Sequence, residues 1–184
     1  MIFLWIFLLI AIIIVLKYIY LIVKRRHLIE KIRKQVKKQN GSMHYYRNPF
    51  VSLFRHDCKA DFSLQIDNRI IVVSVVTTPF RRVRYHFDVN NRALELIIER
   101  SAVYMPNPRV PRPAVVMDRV YTIRKYKIEL ETSDNVNQKF VLLHPAPRST
   151  SKVDGSTLTV LCNNDNLMQR IKVCGLKYFV ENVL

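Results

Sequence analysis

The densest run of groups able to bind a ligand is Phe80-Arg81-Arg82-Val83-Arg84-Tyr85-His86-Phe87, where cations are interleaved with aromatic rings. Arginine offers a planar fork suited to phosphate or carboxylate, and exposed aromatics can stack bases. With Arg124 and Lys127 from a second alternating stretch, Arg81, Arg82 and Arg84 are the candidate anion- or partner-binding residues. A plainer reading competes with this one. Val83, Tyr85 and Phe87 alternate with Arg82, Arg84 and His86, as in a strand with one core face and one solvated face.

Catalytic and metal chemistry find little support. His56 and Cys58 are close in sequence, but His86, His144, Cys162 and Cys174 are scattered, and a zinc site needs a second short-spaced pair. No nucleophile elbow or active-site cysteine signature occurs. The chain has 3 Gly, at 41, 155 and 175, too few for a phosphate-cradling loop. No cofactor or metal is expected, and a non-enzymatic role is favoured.

Ala60-Asp61 followed by the strand-like Arg69–Val76 resembles a worn form of the Asp…Glu-x-Lys pattern of PD-(D/E)XK nucleases. That resemblance implies a metal-dependent nuclease fold. The Glu-x-Lys positions fall near Val73-Ser74-Val75, which carry no charge, so it implies no catalytic residue here.

The elements that would position these groups begin with a membrane signal. Ile2–Val23 holds one charged residue, Lys17, and is long enough to cross a bilayer core of about 20 residues. Lys17, Tyr18 and Tyr20 fit an interfacial belt. No basic residue precedes the apolar run and Ala11 is its one small residue, which argues against a cleaved signal peptide. Lys24, Arg25, Arg26, Lys31, Arg33, Lys34, Lys37 and Lys38 follow, opposed by Glu30. By the positive-inside bias the N-terminus lies outside and the C-terminal domain is cytoplasmic, in a single-pass protein of the cell membrane. Three cysteines without framework spacing agree with reduced thiols.

Residues 24–41 read as a basic helical stalk, stopped at Asn40-Gly41 by a left-handed glycine. Lys24, Arg25, Arg26, Lys31, Arg33 and Lys34 are expected to meet anionic headgroups. Leu28, Ile32 and Val36 form a narrow stripe whose rival use is dimerisation or partner binding.

Residues 42–184 read as a strand-rich cytoplasmic α+β domain, basic in its own right with 21 basic and 13 acidic residues. Strands are expected over Asp61–Ile66, Arg69–Val76, Arg82–Asp88, Arg119–Glu131, Gln138–Leu143, Ser156–Cys162 and Leu167–Val173, with Asp67-Asn68 as a hairpin turn. Ile70–Val76 is β-branched almost throughout, which marks a central strand buried on both faces. Asn90 or Asn91 is expected to cap a short helix over Ala93–Ala102. Met105–Pro113, with four prolines, is an extended loop. Gly175–Leu184 closes the chain as a short helix or strand.

The function expected is that of a membrane-tethered interaction module meeting anionic lipid or an acidic protein partner. The alternative is a membrane-anchored nucleic-acid-binding protein with a degenerate nuclease-like fold. The oligomeric state is left open.

Overall fold

The computed structural model describes residues 2–48, 57–80, 83–104, 115–129, 136, 138–154, 157–168 and 170–184. One helix, α1 (Ile2–Lys38), runs unbroken for 37 residues, about 55 Å at 1.5 Å per residue. Its first half is exposed: each side chain described from Phe3 to Tyr20 faces outward. Ile2 to Tyr20 rises about 28 Å, which matches a hydrocarbon core of about 30 Å. The helix is therefore long and apolar enough to cross a membrane.

The second half of α1 belongs to the folded domain. Leu28, Ile29, Ile32 and Val36 are buried in one core cluster with Phe62, Leu64, Ile71, Val73 and Phe140. The boundary expected at residue 41 thus separates no packed unit, and the apolar stripe of the stalk is used within its own chain. Its spacing brings those side chains onto one face, and a sheet covers that face.

That sheet has six strands in the order β1 (Ser42–Tyr45), β2 (Phe62–Ile66), β3 (Arg69–Thr77), β7 (Gln138–His144), β11 (Ile171–Gly175) and β10 (Asn166–Met168). β3, β7 and β11 are parallel, and the remaining pairs are antiparallel. A second sheet, in the order β6 (Val115–Lys127), β5 (Ala93–Tyr104), β4 (Arg84–Asp88), β8 (Ser149–Asp154) and β9 (Thr157–Leu161), covers its other face. The result is an α+β domain in three layers. α1 lies on the first sheet with the C-terminal α2 (Leu176–Tyr178), which continues as a π-helical turn over Phe179–Val183.

β3 explains the layering. Ile71 to Thr77 are all buried: Ile71, Val73 and Val75 enter the cluster with α1, while Val72 and Val76 enter the cluster with the second sheet. A strand apolar on both sides is stable only between two covers.

Two local expectations are corrected. Ala93–Ala102 lies within β5, which pairs with β4 through an Asx turn rather than starting a helix. Asp88 Oδ1 accepts from the Asn90 and Asn91 amides at 3.0 and 3.1 Å, so the polar signal there is a hairpin turn. The register shift at Leu96/Ile97 leaves Ile123 of β6 without an opposite residue, while β5 keeps an unbroken register with β4. Leu96 and Ile97, on the two faces of β5, are both buried, which imitates helical spacing in the sequence. Leu167–Val173 is a hairpin of β10 and β11 that turns at Arg170, φ 57°. The Pro-rich stretch 105–113 lies outside the described residues.

The stop of α1 is a Schellman motif. Gly41 N donates to Val36 O at 2.9 Å and Asn40 N to Lys37 O at 3.2 Å. Asn40, φ 55°, takes the left-handed position expected of the glycine. Gly41 is needed for another reason: a Cβ there would stand 2.7 Å from Gln65 O of β2. Gly41→Ala is therefore expected to destabilise the protein by about 1–3 kcal/mol, read from thermal or denaturant unfolding.

Candidate functional site

Arg25 joins α1 to the sheet. Its guanidinium is 2% exposed, and Nη2 lies 2.9 Å from Asp61 Oδ2. Nη1 donates to Val75 O at 2.8 Å and reaches Thr77 Oγ1 at 3.4 Å. The same Asp61 oxygen accepts from Val75 N at 2.7 Å, so both charged groups are tied to the backbone of β3. Burial lowers the Arg25 pKa, and the Asp61 charge opposes that shift. Arg25 is thus not a headgroup contact. Asp61, which carries the nuclease resemblance, spends its carboxylate on this clamp. Among the described residues, no three His, Cys, Asp or Glu side chains converge as metal ligands, and His56 lies outside them.

The clamp also sets direction. Arg25 meets the Thr77 end of β3, whereas Gly41 meets Gln65 and Ile66 near its start. β3 therefore runs back toward the apolar half of α1, and the parallel strands β7 and β11 end on that side with it. Lys17 Nζ lies 5.0 Å from the Phe80 ring centroid, so the domain reaches down to the level of Lys17.

Among the described residues, the expected anion-binding side chains Arg84, Arg124 and Lys127 do not form one patch. Arg81 and Arg82 lie outside the described residues. Arg84 is half-buried at the start of β4, opposite Ile97 and Ser149. Lys127 pairs with Ala93, which pairs with Asp88 at the other end of β4. Arg84 and Lys127 are thus separated by about 13 Å along the strands and about 10 Å across them. Arg124 shares the strand parity of buried Tyr126 and lies over its ring at 5.4 Å, on the opposite side from Lys127. The outer face between them is charge-balanced: Lys125 pairs with Glu95 at 2.9 Å, and Glu129 pairs with Lys127 at 2.9 Å and Lys59 at 3.1 Å.

Positive charge is concentrated instead on the outer side of α1. Arg26, Lys31, Arg33, Lys34, Lys37 and Lys38 are exposed there, with Glu30 3.7 Å from Arg33. Tyr45 and Tyr46 are exposed on the adjoining edge, and Tyr45 lies within the electrostatic reach of Arg33. Along the axis, Lys31, Lys34 and Lys38 stand about 10, 15 and 21 Å beyond Lys24.

A cleft of about 530 Å³ opens at the carboxyl ends of β7 and β11, where ligands of parallel sheets commonly sit. Residues from 146–150, 161–163, 173–175 and 177–182 line it, including Arg148, Lys177 and Glu181. Sequence spacing carries no hint of this site, because its walls come from four separate segments.

Two groups near these features give simple tests. Cys58 and Cys174 are buried, and burial pushes the Cys174 thiol up to about 12, whereas Cys162 is exposed. One thiol, Cys162, is expected to react with an alkylating reagent in the native protein, and all three after denaturation, as counted by mass spectrometry. His144 is held below the ordinary histidine pKa by burial and then by Lys24 and His27. The unfolded chain takes this proton first as pH falls, so stability present above about pH 6.5 is lost toward the lower folded pKa. His144→Gln is expected to lose less stability than the parent between about pH 7 and pH 5 in denaturant titrations.

No protein-family model, curated protein or solved structure matches the chain.

Proposed function

We propose that the chain is a single-pass membrane protein whose cytoplasmic domain is a non-enzymatic interaction module for an acidic protein partner. The supporting observation is the exposed basic side of α1. If Ile2–Tyr20 occupies the hydrocarbon core, Lys24 and Arg26 stand at headgroup level. Lys31, Lys34 and Lys38 then project about 10–21 Å further, beyond a screening length of about 8–10 Å. The headgroup role expected for Lys31, Arg33 and Lys34 therefore passes to a partner in solution. The buried clamp holds that basic side at a fixed height and angle, which a flexible tether would not do. The orientation follows from the excess of cations after the span.

The test uses the full chain in neutral-lipid nanodiscs with poly-glutamate and single-stranded DNA as probes. Poly-glutamate binding that weakens steeply with salt, and is lost in Lys31→Glu/Lys34→Glu/Lys38→Glu, is the expected result. One observation favours the nucleic-acid alternative: Tyr45 and Tyr46 are exposed beside the basic side of α1, as base stacking requires. Tighter binding of DNA, lost in Tyr45→Ala/Tyr46→Ala, would replace the acidic-partner reading.

A further inference from the structure

The cleft at the ends of β7 and β11 has a definite place relative to α1. Thr77 is level with His144 in the β3–β7 register, and Leu143 is level with Gly175 in the β7–β11 register. Thr77 is held by Arg25, one turn of α1 beyond the apolar stretch, and Phe80 descends to Lys17. The segments 146–150 and 175–182 follow β7 and β11 at this same end. β11 lies two strands from β3, about 10 Å to the side of it. With α1 in a bilayer, the cleft therefore sits beside the span at the depth of the lipid phosphates.

Its lining is mixed in a particular way. Arg148 and Lys177 supply two exposed cations, Thr150 a buried hydroxyl, and Pro147 and Leu161 an apolar wall. Glu181 supplies one carboxylate in the same cleft. Two cations with one anion favour a ligand of low net charge, which disfavours di- and triphosphates and suits a singly charged diester. The volume lies within the roughly 300–1,000 Å³ of small-molecule sites.

We infer that this cleft holds the phosphodiester headgroup of a membrane phospholipid, with Arg148 and Lys177 on the phosphate. The inference rests on the reading of α1 as a membrane span. It does not depend on the acidic partner.

The test is native mass spectrometry of the full chain released from detergent with defined probes: phosphatidylglycerol, diacylglycerol, and sn-glycero-3-phosphoglycerol. Flotation of the chain with membranes after alkaline extraction is checked first, so that failure of the span reading is seen separately. Phosphatidylglycerol is expected to be retained and diacylglycerol released. Arg148→Ala/Lys177→Ala is expected to reduce retention at least about tenfold, since each removes a charge-assisted hydrogen bond. Both residues are exposed, so folding is expected to persist; thermal unfolding checks this, and Arg148→Gln/Lys177→Gln serves if the alanine pair unfolds. Lys31→Ala/Lys34→Ala, which removes the same charge elsewhere, is expected to retain the lipid. Equal retention of diacylglycerol, parental retention by both cleft variants, or equal loss in the Lys31/Lys34 control overturns the inference. Binding of the soluble diester as tightly as the lipid would assign the cleft to a soluble ligand and overturn the lipid assignment.

Discussion

Asp61→Ala is expected to destabilise the domain by about 3–5 kcal/mol, because it leaves the Arg25 guanidinium buried without its carboxylate. The loss should exceed that from any exposed charge on α1, where pairs such as Arg33–Glu30 contribute little. Arg25→Ala should be costly in the same way, since Asp61 then stays buried without the guanidinium and, among the described residues, keeps the Val75 amide as its donor. The informative variant is the double replacement Arg25→Met/Asp61→Leu. Removing both charges together removes the desolvation cost with the attraction, so it should be much milder than either single change. Urea unfolding of the four proteins in one detergent closes the cycle. A double variant as unstable as the sum of the singles would mean that the two groups do not act as a pair.

The second large effect concerns where the domain begins. A fragment of residues 42–184 is expected not to fold. It lacks Leu28, Ile29, Ile32 and Val36, all buried against Phe62, Val73 and Phe140. Truncating one buried Leu or Ile costs about 2–5 kcal/mol, and a whole domain is stable by only about 5–15 kcal/mol. Removing four such side chains and the Arg25 clamp exceeds that margin. A fragment of residues 21–184, which keeps Leu21 and the rest of the packed half of α1, is expected to fold. Circular dichroism and the dispersion of amide resonances distinguish the two fragments. A well-dispersed spectrum from 42–184 would mean that α1 is an accessory to the domain rather than part of it.

Much of the architecture was legible because single segments carried it. Ile70–Val76 announced a strand covered on both faces, and β3 is that strand. Leu28, Ile32 and Val36 announced a stripe, although not what would cover it. Arg25 was the missed signal. It lies on the stripe that runs from buried Leu21 through Leu28, Ile32 and Val36, and a cation in such a stripe calls for a buried carboxylate. Counted with its basic neighbours, it looked like one more surface charge. Asp61 could not be identified as its partner, because the pair is joined only when β2 and β3 assemble. β5 reads as a helix for a local reason: Leu96 and Ile97 are buried on opposite faces of the strand, which hides its period of two. Of the candidate set Arg81, Arg82, Arg84, Arg124 and Lys127, the first two lie outside the described residues, and strand order spreads the other three over two faces and two ends of the second sheet.

On the proposed reading, one helix is both the membrane segment and a structural member of the domain, with no hinge between. Amide hydrogen exchange of the full chain in nanodiscs tests this residue by residue. Protection is expected to run without a break from Leu21 to Val36, at the level of β3 and β7, since all three share one core. Fast exchange confined to residues 23–27, with protection on either side, would reveal a hinge at the membrane surface and contradict the account.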